Sequence, residues 1–461
     1  MKQIVHLGNI ANNAYNNSKY LNDIGPYSHV AVSYDNPHAM AYPEWEEIDT
    51  EENIAEYWPN WSKFTFRRPE WFHQLDVAGQ DLNETKIVSM PTWAQLWTVR
   101  RRIAYWLKDQ GVKKTTLGYE APKGLANILR VAPVLPAYGL VSIAAQIARH
   151  RLRKNVSGTS VFEKDYRIIA GIVASHTSRA HLVQGYGMDV VTALLSGKPF
   201  VAYEHGTLRD APFDNTPAGS LLATAYKKAQ HVFITNPDTL NSARRLGLEN
   251  ISFVPHVVDT DVFMPGRNPE IRKQFNLNET DLVIIAPARQ NWEVKRNERL
   301  IKAFCKLVDK VPHARLMLSD WGQNRDLTHD LVRRLSLNNF VRYYRPVPKR
   351  RSAQLLRAAD IVVDQLHLPT FGALTPEALA CGKVTLTSFN SSLNSWCYSV
   401  QPPIIPINNS EQLGTELIAL ANDPERRLKL GREGVSWVRR EYSISRLTKA
   451  QNDVYDKILY K

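Results

Sequence analysis

Cysteine is scarce in this chain. Only Cys305, Cys381 and Cys397 occur in 461 residues, and no two share a Cys-x-x-Cys spacing. That excludes a disulfide framework and a cysteine zinc site, and it fits a reducing compartment. No signal peptide is legible, because the run Met1 to Gly8 is too short for a secretory apolar region and no small-residue cleavage site follows it. A cytoplasmic protein is therefore expected, one that could also sit peripherally on the inner face of the membrane. Long apolar runs are missing too. The nearest approach is Val131 to Ala148, eighteen residues without a charge, interrupted by Pro133, Pro136 and Gly139. A bilayer span needs about 20 apolar residues. With the basic collar Arg149 to Lys154 behind it, the segment reads either as a membrane-surface element or as a buried core helix.

Acidic residues are outnumbered, 45 against 58 basic ones, which leaves a net charge of +13. Such an excess favours anionic partners. Neither a Cys/His finger nor an aromatic-basic strand signature accompanies it, so no nucleic-acid partner is expected. The basic clusters Arg100-Arg101-Arg102, Arg149 to Lys154 and Lys349-Arg350-Arg351 fit solvated helix faces, an anionic membrane surface or a phosphorylated ligand.

What is present is an alternation of short apolar runs with helical patterns, at a length that calls for two domains. Strands are expected at Ile4 to Gly8, His29 to Ser33, His181 to Gln184, Pro199 to Glu204 and Val232 to Thr235. A second series follows at Leu282 to Pro287, Arg315 to Leu318, Phe340 to Tyr344, Ile361 to Asp364 and Val384 to Thr387. The fold class is α/β, two doubly wound domains in series with a junction near Pro255 to Pro269. The stretch from 45 to 106 holds seven of the eleven tryptophans, either interfacial rings or the filling of an irregular insertion.

Three segments carry chemistry. In Ala286-Pro-Ala-Arg289-Gln-Asn-Trp-Glu-Val-Lys295, two cations leave the carboxyl end of a strand, where a doubly wound sheet binds ligands and a diphosphate fits. In Asp364-Gln-Leu-His-Leu-Pro-Thr-Phe-Gly372-Ala-Leu374-Thr375-Pro-Glu377, a strand ends and a loop runs into a helix, with Thr375 expected as N-cap and Pro376 at the first helical position. Free amides there would cradle a phosphate. Glu377, in the first turn, is placed to accept ribose hydroxyls, although a first-turn glutamate also complements the helix dipole with no ligand at all. The third segment is Val254-Pro-His-Val-Val-Asp259-Thr-Asp261-Val-Phe263 at the junction.

Together these resemble glycosyltransferase family 4, the retaining GT-B enzymes. The junction carries His256-Val257 where the family often has Asn-Gly, with Asp259 and Phe263 in place; Phe371, Gly372, Glu377, Ala378, Ala380 and Gly382 match its Phe-Gly-x4-Glu-Ala-x-Ala-x-Gly pattern. The likeness is good over residues 180 to 461 and loose over the first 35. It implies a GT-B fold, two Rossmann-like domains facing across a cleft: 1–262 on the acceptor side, with a Trp-rich insertion at about 45–160; 263–440 for the nucleotide sugar; and 441–461 as a helix crossing back. It implies a nucleotide-diphosphate-sugar donor, a glycan or lipid-linked acceptor, and no cofactor or metal. Donor binding would fall to Gly8, Asn9, Arg289, Lys295, Gly372, Leu374, Thr375 and Glu377, and catalysis to His205, Arg289, Lys295 and Asp364. Pro369 stands where the family's first glutamate falls, so that role is open to Asp364 or His367. Asp259-Thr-Asp261 matches a metal-binding Asp-x-Asp, but its place in the junction pattern marks capping and linker acids. Two other readings remain, a nucleotide-sugar epimerase of the same fold and a donor-binding protein without turnover.

Overall fold

The computed structural model describes residues 1–75 except Asp35, Pro37, Asn53 and Trp58, the backbone of 114–115 and 118–119, and residues 159–460, with side chains from Tyr166 onward. The uncharged run Val131 to Ala148, its basic collar, and Trp58, Trp93, Trp97 and Trp106 lie outside the described residues. Among the described residues no helix is long and apolar enough to cross a membrane.

Two parallel sheets form the frame. The first contains β1 (Gln3–Leu7), β2 (Ser28–Tyr34), β3 (Phe72–Leu75), β4 (Leu182–Tyr186), β5 (Phe200–Tyr203), β6 (Val232–Ile234) and β7 (Ile251–Phe253). Its spatial order is β3-β2-β1-β4-β5-β6-β7. The second contains β8 (Leu282–Ala286), β9 (Ala314–Ser319), β10 (Val341–Tyr344), β11 (Ile361–Val363), β12 (Val384–Thr387) and β13 (Ile405–Pro406), in the order β10-β9-β8-β11-β12-β13. Every strand pair in both sheets is parallel.

A central parallel strand is covered on both faces, which is why β8 reads Leu-Val-Ile-Ile-Ala with every residue buried. Side chains alternate across a strand. Val283 and Ile285 therefore join one core with Val362, Leu356 and Trp437, while Leu282, Ile284 and Ala286 join the other with Leu300 and Phe304.

In each sheet the strand order reverses at the first strand, between β1 and β4 and between β8 and β11. Such a switch point leaves a crevice beyond the carboxyl ends of the strands, the usual ligand position in this architecture. The chain crosses between domains at 254–263. Val254 packs with the first domain's core, and Val258 and Phe263 pack with the second's, so the packing changes hands slightly before residue 262.

Five helices matter for the cleft and its support: α1 (Asn13–Ile24), α2 (Glu44–Glu47), α3 (Lys349–Ala358), α4 (Leu374–Ala380) and α5 (Ile444–Leu459). The last returns to the first domain. Tyr455 is fully buried there and donates to Gln184 Oε1 at 2.7 Å, and Gln451 Nε2 donates to Asn17 Oδ1 at 3.0 Å. The described tryptophans of the 45–106 stretch pack within the first domain, and Trp45 also faces the cleft. Trp45 and Trp61 share a small core with Ile48 and Ile54, and Trp71 stacks on Tyr15 with ring centroids 5.3 Å apart.

Candidate functional site

Both switch points open onto one cavity of about 440 Å³ between the domains, within the usual range for a small-molecule site. On the first-domain side the chain must turn sharply as it leaves β1. Gly8 has φ +84°, and a Cβ there would lie 1.9 Å from Asp189 Oδ2, so only glycine fits. Ala11 and Asn12 also adopt positive φ, 48° and 54°, and this strained loop brings Ala11 and Asn13 to the cavity wall.

Gly8 and Asn9, expected at the donor, do not line the cavity. The Gly8 N–H donates to Val32 O at 3.0 Å. The buried Asn9 side chain donates to Asn12 Oδ1 (2.7 Å) and Ala41 O (2.8 Å) and accepts from the Tyr15 N–H (2.9 Å). Both residues build the loop, and their polar groups are consumed in doing so.

Across the cavity, Arg289 and Lys295 both line the wall. Their loop is fastened by its own amides. Asn291 N–H donates to Asn297 Oδ1 (2.9 Å), Val294 N–H to Asn291 Oδ1 (2.8 Å), and Gln290 Nε2 to Ser319 O (2.9 Å). Burial lowers the Lys295 pKa, with Arg289 adding to the effect and Asp364 opposing it. Among the described residues neither cation has a carboxylate within 4.0 Å, in contrast to Arg209, which forms a two-bond pair with Asp238 at 2.6 and 2.8 Å.

The loop after β11 is knitted by Gln365. Its Nε2 donates to Leu368 O (2.8 Å) and Thr370 O (2.6 Å), and its Oε1 accepts from the His367 and Leu368 amides (2.9 and 2.6 Å). Gly372, Ala373 and Glu377 then line the cavity, while Leu374, Thr375 and Asp364 do not. The expected cap is corrected by the structure. Helix α4 begins at Leu374 with Ala373 in the capping position, and Thr375 is one residue inside it. Thr375 Oγ1 donates to Asp364 Oδ2 at 2.8 Å instead, because a buried carboxylate needs a donor. Asp364 is thereby held off the cavity wall. His367 is exposed and stands off the cavity.

Glu377 already has an occupant. Lys349 Nζ, at the start of α3, donates to Glu377 Oε1 at 2.5 Å. A second carboxylate, Glu46 of α2, acts on the same ammonium across the cleft. Burial raises the Glu377 pKa against the pull of Lys349, and burial raises Glu46 to about 7. The two carboxylates hold Lys349 charged against the cost of its own burial. Neither Glu46 nor the role of Lys349 was legible in sequence. Glu46 lies some 300 residues from its partner, and Lys349 read only as part of a basic run.

His205 follows β5 and lines the cavity beside His256, their ring centroids 5.0 Å apart. Burial lowers His205 to about 4 and His256 well below the usual imidazole value. Asp259 accepts through Oδ1 from the Asp261 and Val262 amides (3.0 and 3.3 Å), a turn-closing contact. Among the described residues no cluster of metal-ligating side chains occurs.

The two facing Rossmann-like domains with a cleft at paired switch points are the GT-B arrangement. Residues 267–437 match the family model for Glycosyl transferases group 1. Over 188 residues the chain is 27% identical to a D-inositol 3-phosphate glycosyltransferase of Kribbella flavida, a match covering 39% of this chain and 44% of that one. The chain thus spans less than half the length of that curated relative. The fold is similar to that of sucrose-phosphate synthase from Thermosynechococcus elongatus (TM-score 0.62, 12% identity, all of both chains). It is also similar to Anabaena HepE in complex with UDP and glucose (TM-score 0.55, 16% identity, 65% of this chain and 84% of that one).

Proposed function

We propose that the chain is a glycosyltransferase that moves a sugar from a nucleotide-diphosphate-sugar donor onto an acceptor hydroxyl, with retention of configuration and without a bound metal. The observation that carries this reading is the pair Arg289 and Lys295, two cations without carboxylate partners among the described residues, lining one cavity beside the Gly372–Ala373 backbone. Fixed positive charge at that point would stabilise the nucleotide diphosphate as it departs, which is where the reaction develops negative charge. HepE, of similar fold, is known in complex with UDP and glucose. The match to Glycosyl transferases group 1 spans the domain that holds both cations. The acceptor hydroxyl would approach from the first-domain side, past His205. Retention rests on the family resemblance. A glycan or lipid-linked acceptor used in surface polysaccharide or glycoconjugate synthesis, on the cytoplasmic side of the membrane, is the corresponding proposal for pathway and place.

Metal independence is supported by Asp259, whose Oδ1 is engaged by two turn amides. The decisive experiment is a thermal-shift screen of nucleotide diphosphates and their sugars, followed by product identification with and without EDTA. A stabilising nucleotide sugar and a glycosylated product support the proposal. An epimerised free sugar nucleotide, or binding with no product at all, would replace it.

A further inference from the structure

Asn13 opens α1 at the cleft, and its carboxamide is fixed by its neighbours. Nδ2 donates to Ile10 O at 2.8 Å, and since a backbone carbonyl can only accept, this contact identifies the nitrogen end of the amide. The same Nδ2 lies 3.2 Å from His205 Nδ1. At the other end, Oδ1 lies 2.9 Å from His256 Nδ1. Once the amide is oriented, the protons on both rings follow. His205 Nδ1 must accept, so its proton sits on Nε2. His256 Nδ1 must donate, so its Nε2 is bare.

The two rings stand at 72° to each other, and both line the cavity. Among the described residues no protein group bonds either Nε2. We propose that Asn13 is a positioning residue that locks His205 and His256 into opposite tautomers, so that the cleft is offered one N–H donor and one bare nitrogen acceptor from adjacent rings. The group matched by such a pair is a hydroxyl, which accepts and donates at once. A carboxylate or phosphate oxygen would meet the lone pair of His256 and is disfavoured. Because burial holds both rings neutral, the assignment persists through the neutral pH range. That the hydroxyl belongs to a sugar rests on the transferase reading; the tautomer lock does not.

Histidine-selective ¹⁵N labelling with long-range ¹⁵N–¹H correlation at neutral pH tests the lock directly, the two rings being assigned through His205→Asn and His256→Asn. The expected pattern is a bare Nδ1 in His205 and a bare Nε2 in His256. In Asn13→Asp the residue offers only acceptors, so the His205 proton should move to Nδ1. The same tautomer in both wild-type rings, or an unmoved His205 proton in Asn13→Asp, would overturn the proposal. With UDP-glucose and UDP as calorimetric probes, Asn13→Asp should weaken UDP-glucose by about fivefold to tenfold and leave UDP unchanged, the loss of one hydrogen bond. Equal weakening of both probes would overturn the hydroxyl role. Opposite tautomers in a protein that transfers no sugar would sink the transferase reading while the lock stands.

Discussion

Lys349 and Glu377 lie in the same domain, 28 positions apart, and meet at 2.5 Å on the floor of the cleft, where Glu46 of the other domain reaches the same ammonium electrostatically. A ligand taking the Glu377 carboxylate must therefore displace or share a lysine that is already there. Donor binding and the contact between the domains are linked through that one side chain. The next two residues of α3 extend the link. Arg350 pairs with Glu47 at 3.2 Å and Arg351 with Glu51 at 2.5 Å, and Gln354 Nε2 donates to Asp49 Oδ2 at 2.6 Å.

These cross-cleft pairs predict a salt- and charge-sensitive opening. Glu51 is largely exposed, so its pair with Arg351 contributes only about 0.2–1 kcal/mol, and raising ionic strength to about 1 M shortens screening to about 3 Å. Arg351→Glu should place two like charges together and widen the cleft. Small-angle scattering should show a larger radius of gyration for that variant at low salt, and for the wild type at high salt. An unchanged radius in both would mean that apolar packing alone sets the domain angle.

The phosphate assignment predicts that Arg289→Ala and Lys295→Ala each weaken nucleotide-diphosphate binding by about tenfold or more, because a hydrogen bond to a charged group contributes roughly 1.5–3 kcal/mol. Neither side chain has a carboxylate partner within 4.0 Å among the described residues, so their melting temperatures should stay close to wild type. Calorimetric affinities that match wild type in both variants would remove the phosphate role.

Stability should rise with pH between about 4.5 and 6.5. His29 (about 3), His205 and His231 (both about 4) are lowered by burial, and so are His6 and His256. Each stays neutral in the fold but takes a proton near 6.5 when unfolded, so its contribution is complete above that pH and is lost as pH falls towards 4. Glu46 and Glu204, raised to about 7, and Glu377, raised by burial, act in the opposite sense, losing stability as pH climbs from 4.5. Five imidazoles outweigh three carboxylates. Denaturant titrations should show unfolding free energy increasing by on the order of 1 kcal/mol per pH unit across that window. A flat or falling profile would mean that the buried histidines are protonated in the fold.

The alternation of strands and helices was legible because parallel strands buried on both faces leave apolar runs such as Leu282–Ala286, which appears where expected apart from its last residue. Arg289, Lys295, Gly372 and Glu377 were legible because one strand-loop-helix unit places each of them, and local spacing suffices. Thr375 was misplaced because capping and buried hydrogen bonding compete for the same hydroxyl, and the buried Asp364 won it. Gly8 and Asn9 marked the right turn, but their polar groups close it. Glu46 and the role of Lys349 depend on two domains meeting, and Asn13 reaches His205 and His256 only through elements far apart in sequence, so no local pattern encodes either approach.

The last prediction concerns Glu377. Two readings of its carboxylate differ in what its loss does. If it holds ribose hydroxyls once a nucleotide arrives, Glu377→Gln keeps the shape and loses the charged acceptor, while Glu377→Ala loses both. Nucleotide-diphosphate affinity should then fall in that order, and a 2′,3′-dideoxy nucleotide should bind all three proteins alike. If it serves only as the buried counterion of Lys349, either change strands the ammonium and destabilises the fold, by up to about 3–5 kcal/mol for a buried pair broken on one side. Lys349 is a quarter exposed and keeps Glu46 within electrostatic reach, so the loss should fall below that range. Lys349→Met separates the cases, because it frees Glu377 from its present partner. Under the ribose reading that variant binds nucleotide diphosphate at least as tightly as wild type, despite a lower melting temperature. Weaker binding in Lys349→Met, with the dideoxy nucleotide losing as much as the ribose form in the Glu377 variants, would leave Glu377 with the counterion role alone.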